Sequence, residues 1–359
     1  MVKKNILIAL VVFLVMGYGV LEQTKTVEKD NLFNAKVAAS EHLEQIFGRI
    51  KAYRIEIDGN IDSSVDLNET GLLGPRYTRI TTTLGALESK RTSANPNMAA
   101  LLVQLITDAG LVKGDTVAVN VSGSFPALNF AVIAAAETMD IDTIIISSIG
   151  ASTYGANHEE LTYLDMEQRL FNEGVIDRKS IAFSNGGAED LGLDMDSEVL
   201  KQIIDRHSDK IHIYFEEYDQ NIAYRMSLYD QAASDIDLFI NVGGNLVSGG
   251  ESDVGYGIDN GLINPSLELN YSDKGLIGAF LDKGISVVHL LNIKDLAMEY
   301  GISIDPVPLT PIAEEGIFFS YKYNTIVISV LLFFGVGGLA SYGYIRNKEI
   351  KEALRRITA

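Results

Sequence analysis

The sequence predicts an α/β domain of the doubly wound kind: a mostly parallel sheet of about six strands, with an N-terminal stalk helix and flanking transmembrane helices. Three observations lead there. From residue 78 to 311, runs of about five residues rich in Val and Ile alternate with longer stretches of helical periodicity. That alternation is the signature of βαβ units and a sheet covered on both faces. The loops expected at the strand ends repeat one composition of Gly with Ser or Asn. Finally, an uncharged apolar run lies near each end of the chain.

The first apolar run, Ile6 to Leu21, reads "ILIALVVFLVMGYGVL" and follows Lys3 and Lys4. It is expected to anchor the chain over residues 1–21, with a cleaved signal peptide as the rival reading because Gly17 and Gly19 are small. The second, Thr325 to Tyr344, reads "TIVISVLLFFGVGGLASYGY" and is long enough to cross a bilayer. A tail over 345–359 carries Arg346, Lys348, Lys351, Arg355 and Arg356. Basic flanks at both ends predict two cytoplasmic termini and an extracytoplasmic domain between them, by the positive-inside rule. Gly337 and Ser341, four apart, have the spacing that lets membrane helices approach closely.

Between these runs, residues 22–77 are expected to form a stalk helix and a connecting loop. Leu32, Phe33, Val37, Leu43, Ile46, Phe47 and Ile50 make a helical stripe within Asp30 to Ile57, and Asp58 to Tyr77 is rich in Gly, Asn, Asp and Ser. In the 78–311 domain, Asn95-Pro96 opens a helix that Gly110 stops. Strands are expected at Asp115–Val121, Thr143–Ser147, Ser180–Phe183, Ile211–Phe215, Asp237–Val242 and Ser286–Leu290. Helices are expected at Phe125–Met139, Leu161–Asn172, Glu198–His207, Ile222–Ser234, Leu276–Lys283 and Ile293–Tyr300. Pro306, Pro308 and Pro311 end regular structure, and 312–324 links to the second membrane helix.

Charge and composition exclude several function classes. Of 29 basic and 48 acidic residues, the two tails hold seven and two, which leaves 22 against 46 for the part between the apolar runs. So acidic a surface argues against nucleic acid as a partner. The absence of cysteine removes disulfides, thiolate chemistry and Cys-ligated zinc.

Ligands of a parallel sheet bind beyond the carboxyl ends of its strands. The loops there are "NVSGSFP", "SSIGASTYGANH", "SNGGAED" and "NVGGNLVSGG". They contribute Ser122, Gly123, Ser124, Ser147, Ser148, Asn157, Asn185, Gly186, Gly187, Gly243, Gly244 and Asn245, which combine close backbone approach with neutral hydrogen-bonding groups. Ser124 also suits an ordinary helix cap ahead of Pro126. A further stretch, "TTTLGALESKRTSANPN", places Thr81, Thr82, Thr83, Lys90, Arg91, Thr92 and Ser93 ahead of the Asn95 helix start. Cations oppose the macrodipole at a helix start, so an anion received there would explain them. The expected ligand is a small anion or carboxylate.

These phrases also resemble a known family. "ITTTLGALESKRTSANPN", "GDTVAVNVSGSFPALNFAVIAAAE", "IISSIGAS" with "YGAN", and "LTYLDME" are similar to the membrane-anchored poly-γ-glutamate system proteins. The resemblance runs from about Thr70 through the last strand. It implies a setting beside membrane subunits of a poly-γ-glutamate synthase, in polymer synthesis or export, with the polymer itself as a potential ligand. It transfers no catalytic residue.

For chemistry, a Ser124 nucleophile with His158 as base and Asp165 or Glu167 as acid is the serine-hydrolase reading, acting on γ-glutamyl amides. No G-x-S-x-G elbow accompanies it. No metal site is expected: Asp190, Asp194, Asp196 and Glu198 fail the calcium-loop pattern, and Glu251, Asp253 and Asp259 sit in a glycine-rich loop. No cofactor is expected either, since Gly255-Tyr256-Gly257 alone makes no dinucleotide site. Three classes therefore stand: an accessory protein of polymer export, an extracytoplasmic hydrolase, and an anchored solute-binding domain.

Overall fold

A computed structural model of the protein describes residues 2–250, 258–265 and 275–357. Glu251, Asp253 and the Gly255-Tyr256-Gly257 stretch lie outside them. The described residues fall into two compact units, one of residues 31–318 and one formed by residues 1–30 with 319–359.

The larger unit is mixed α/β around a seven-stranded sheet. Six strands run parallel: β2 (Thr116–Ser122), β3 (Asp142–Ser148), β6 (Ala182–Ser184), β7 (Ile211–Ile213), β8 (Leu238–Val242) and β10 (Ser286–Leu290). The order is β7-β6-β3-β2-β8-β10, and β9 (Gly261–Ile263) adds an antiparallel edge beside β10. Six expected strands are thus seven. Three residues are too few to show alternation, so the edge strand left no pattern in the sequence.

Register explains the core. Ile144, Ala118, Phe239 and Val287 lie side by side across β3, β2, β8 and β10. All four face one apolar cluster with Leu228 and Tyr229 of helix α8 (Tyr218–Ala232) and Phe280 of helix α10 (Gly275–Asp282). Phe239 and Phe280 stack there with centroids 4.3 Å apart. A second cluster sets Phe183 against Leu164 of α6 (Tyr163–Asn172) and Val199, Leu200 and Ile203 of α7 (Ser197–Arg206). α6 starts with a reciprocal Thr162–Asp165 capping box, and Asp196 caps α7 by accepting from the Glu198 and Val199 amides, both at 3.0 Å.

Helix α5 (Pro126–Thr138) is buried continuously from Pro126 to Ala136. The absence of a polar face in "FAVIAAAE" follows from its position between the sheet and a further helix layer. That layer includes α2 (Phe33–Asp58), the helix expected as a stalk, which packs on α5 and on α4 (Met98–Asp108). Leu43, Ile46 and Ile50, from the expected stripe, are fully buried in this contact.

Two local readings change. The segment around Lys90 is itself a helix, α3 (Leu87–Ser93), so Lys90 and Arg91 occupy its last turn, where cations suit the helix dipole. Ser124 and Asn95 are not helix caps. α5 has Phe125 at its N-cap with no side-chain bond, and Asn95 accepts from the Asn97 amide before α4 begins at Met98.

In the smaller unit, α1 (Val2–Gln23) and α12 (Thr325–Ile357) are both long and apolar enough to cross a membrane. Strand β1 (Thr26–Lys29) pairs antiparallel with β11 (Phe319–Lys322) next to them; β1 lies ahead of the expected stalk helix within 22–77, and β11 within the expected 312–324 linker. The helices continue that antiparallel pairing. Phe13 meets Phe334 edge-on at 5.7 Å, and Gly338 and Gly335 lie against Leu10 and Leu14. Gly337 faces away from this contact, and Ser341 bonds back to its carbonyl at 2.8 Å.

Candidate functional site

From β2 the chain winds through β3, β6 and β7 to one side, then returns to β8 and β10 on the other. The loops after β2 and β8 therefore diverge, and an open α/β sheet binds ligands in such a crevice. A cavity of about 530 Å³ occupies it. This is within the roughly 300–1,000 Å³ usual for small-molecule sites.

Two registered rows of polar side chains build the floor. Asn120, Asn241 and His289 are neighbours across β2, β8 and β10. Each stands two residues beyond Ala118, Phe239 or Val287, so strand alternation puts the row on the same face as that core. One step further out, Ser122, Ser148 and Ser184 are neighbours across β2, β3 and β6. The apolar core thus gives way to polar groups where the strands meet the cavity.

Arg225 of α8 ties both rows together from below and is fully buried. It donates to Asn221 at 2.8 Å, Asn120 at 2.9 Å, Ser184 at 2.7 Å and the Asp190 carboxylate at 2.9 Å. Asp190 also accepts from Asn221 and Ser184. Asn120 in turn donates to Ser248 at 2.8 Å. A buried charge is tolerated only when paired and hydrogen-bonded, and this one is.

His289 differs. Asn241 Nδ2 donates to the Gly243 carbonyl at 2.7 Å, which fixes the amide orientation, and lies 3.0 Å from His289 Nδ1. Nδ1 must then accept, so the proton of the neutral ring is on Nε2. Burial pushes the ring pKa down to about 4, so neutral is its state near pH 7. His289 belongs to the cavity lining, and its Nε2 is buried with no partner among the described residues. The Ser148 hydroxyl is in the same condition. A buried N–H without a partner is a donor that still lacks its acceptor.

The expected site residues divide. Thr82, Thr83, Ser122, Ser124, Ser148, Gly186, Gly187, Gly243, Gly244 and Asn245 line the cavity. Gly243 has φ of 91°, and a Cβ there would sit 3.0 Å from Ser122 Oγ, so glycine keeps that wall open. Thr81 and Asn157 bond to each other at 2.9 Å outside the lining. Gly123 exchanges backbone bonds with Gly150 and Ala156, and Asn185 bonds the Leu191 carbonyl and His212. Ser147 points to the opposite sheet face from Ser148, by alternation.

The expected cationic wall is built differently. Arg91 forms a bidentate pair with Asp305 at 2.8 and 2.6 Å, and the Asp305 amide donates to Thr92. Ser93 donates to the Lys90 carbonyl. Lys90 stands behind the wall, donating to the Ser124 carbonyl and to Ser152 Oγ at 2.8 Å. The cavity wall from this part of the chain is Thr82–Ala86 with Ser89, and Glu189, Asp190 and Asp194 complete an acidic side opposite His289 in chemical character.

Nor are the four members of the serine–histidine reading bonded to one another as a relay. Ser124 Oγ accepts from the Ser152 amide at 3.1 Å. His158 Nε2 lies 3.2 Å from Asp58. Asp165 accepts from Arg206, His207 and Thr162; against its burial, these bonds hold its pKa down to about 2. Glu167 is pushed up by burial, although Ser180 donates to it. Among the described residues, no group of three or more His, Asp or Glu side chains is arranged to hold a metal.

Asn120, Ser152, Ser184, Asp190, Arg225, Asn241 and His289 were not singled out as site residues in the sequence. The available signal was a polar residue breaking an apolar strand near its end, as in "VAVNVS", "FINV" and "VVHL". No family model, curated protein or solved structure matches this chain.

Proposed function

We propose that this chain is a two-pass membrane protein of poly-γ-glutamate synthesis or export, an accessory to the membrane synthase subunits. Its α/β domain stands outside the cell, and both termini are cytoplasmic. In this reading the cavity receives a small carboxylate-bearing ligand, such as glutamate or a γ-glutamyl unit.

One observation carries the ligand reading: His289, a residue of the cavity lining, has its Nε2–H fixed as a donor by Asn241 and buried without a partner among the described residues. A ligand carboxylate or amide oxygen would satisfy it, while the unpaired Ser148 hydroxyl lies across the sheet, with β2 and β8 between β3 and β10. The acidic side at Glu189 and Asp194 suits the amino group of the same ligand. A zwitterionic or γ-glutamyl unit therefore fits better than a bare inorganic anion, which would meet those carboxylates. The setting rests on the sequence resemblance, on helices α1 and α12, and on the basic residues beyond them.

Thermal melts of the purified full chain with glutamate, short γ-glutamate oligomers and phosphate test the ligand. A ligand at a hundred times its Kd should stabilise the fold by about 2.7 kcal/mol. A shift by γ-glutamate compounds that His289→Gln removes supports the reading, and no shift by any of them overturns it. Tags at both ends should resist protease added to intact cells, while 31–318 should not. A mature chain that begins near Val20 would make α1 a signal peptide.

A further inference from the structure

We propose that Lys90 and Ser152 form a serine–lysine pair that performs acyl transfer in the cavity, with Ser152 as nucleophile and Lys90 as its base. The inference needs the cavity but not the identity of the ligand or the membrane setting.

Lys90 is 2% exposed, on α3, and its Nζ lies 2.8 Å from Ser152 Oγ. The Ser124 carbonyl accepts a second bond from Nζ, and the Phe125 ring lies 3.7 Å away at its centroid. Among the described residues no carboxylate forms an ion pair with it. The other long cations of this part of the fold are paired: Arg91 with Asp305, and Arg225 with Asp190. Among the described residues, the contacts of the Lys90 amine are neutral oxygens and an aromatic ring, behind the cavity wall. Burial without a counter-charge favours the neutral amine, and pushes this one down to about 7. A neutral amine is a base, and a base within hydrogen-bond reach of a hydroxyl is the requirement for an activated serine.

Position supports the same assignment. Ser152 lines the cavity, while Lys90 does not, so substrate would meet the nucleophile and not the base. The Ser124 carbonyl holds Nζ from a second direction, which orients its remaining bonding site. Close approach is built in: a Cβ on Gly85 would sit 2.8 Å from Lys90 Cε and 2.9 Å from Ser152 Oγ, so a larger residue there would press on both.

The step balances without a further reagent than water. Ser152 Oγ attacks the carbonyl carbon of an amide, and its proton passes to Lys90 Nζ. The C–N bond breaks, and the amine leaves with that proton. Water then attacks the acyl carbon, giving its proton to Lys90 as the C–Oγ bond breaks, and Lys90 returns the proton to Ser152. An acceptor amine in place of water makes the same pair a transferase. The substrate class is a small acyl amide or the end of an amide-linked polymer.

The test is covalent labelling of the full-length protein, purified in detergent, with a fluorophosphonate probe, followed by peptide mapping. The adduct is expected on Ser152 of the unaltered chain, so this result does not depend on any variant folding. Lys90→Arg puts a permanent cation with hydrogen-bond donors in place of the amine and cannot act as a base, so it should slow labelling by about 100-fold or more. Lys90→Met should do the same. No adduct, an adduct only on another serine, or unchanged labelling of Lys90→Arg would each make the pair a buried structural strut, held by the carbonyl and the aromatic face. Because the probe carries no glutamate, its outcome is separate from the ligand melts.

Discussion

Arg225 and Asp190 form a 2.9 Å ion pair whose side chains are 1% and 3% exposed. It joins α8 to the loop that follows β6, a loop whose Glu189 and Asp190 both have left-handed backbone, with φ of 57° and 60°. Such backbone persists only where its surroundings hold it, and here the holding group is a guanidinium. The pair therefore keeps the acidic side of the cavity in place.

Arg225→Met should destabilise the domain by about 3–5 kcal/mol, because it leaves a buried carboxylate uncompensated. Arg225→Met with Asp190→Asn should cost less than the two single changes added together. Urea denaturation of the four proteins measures this coupling. Strict additivity would mean that the pair contributes no more than its separate packing.

His289 gives a pH signature. Its folded pKa is pushed down to about 4 by burial, whereas an unfolded histidine titrates near 6.5. As pH falls below about 6.5, the unfolded chain takes up the proton first, so stability drops until about pH 4 and then levels off. The loss is at most about 3 kcal/mol. His212 is also lowered by burial and adds to the same slope. Asp165, held down to about 2, contributes only at lower pH. Denaturation at pH 7 and pH 5 should show a smaller difference in His289→Gln than in the unaltered chain. An equal difference would mean that this ring is not held neutral.

The sheet was legible in the sequence and the site only at its edges. "DTVAV" and "TIIIS" are β-branched runs of strand length, and their helices carry apolar periodicity, so six strands could be placed by local pattern alone. Strand alternation even puts Asn120 on the face of Ala118. It cannot say that β8, about 120 residues later, lies beside β2 and brings Asn241 and then His289 into line. Arg91 reads as an anion receiver until its partner Asp305 is known, and that partner is 214 residues away. Lys90 and Ser152 are 62 apart and meet only because the loop after β3 packs on α3. Chemistry fixed by long-range pairing leaves no local periodicity to read.

Lys90 gives a pH signature of the same sign as His289, in a higher window. Its folded pKa is pushed down to about 7, against 10.4 for an exposed lysine. Between these values the unfolded chain holds the extra proton, so stability rises with pH, by at most about 1.4 kcal/mol per unit. Below about pH 7 both states are protonated and the effect vanishes. Its neighbours Ser124, Ser152, Phe125 and Gly85 do not titrate in this range. Lys90→Met should flatten the rise between pH 7 and pH 9 in urea melts. A wild-type chain whose stability is flat or falls over that interval, with no change on substitution, would place a full charge on Lys90 throughout.

The paired terminal helices can be tested directly, since the chain has no cysteine to interfere. A Cβ on Gly335 would lie 3.7 Å from Leu14 Cδ2, whereas one on Gly337 would have nothing within 4 Å. Two residues turn a helix by about 200°, so the two positions face opposite ways. Leu14→Cys with Gly335→Cys should oxidise readily in membranes and lose its thiol labelling. Leu14→Cys with Gly337→Cys should stay reduced and labelled. Adding Gly337→Ile to the first pair should leave its crosslink unchanged, because that face carries no contact with α1. Equal crosslinking at 335 and 337 would mean that α1 and α12 hold no fixed rotation, and that the alignment of Leu10 with Gly338 is not maintained in the bilayer.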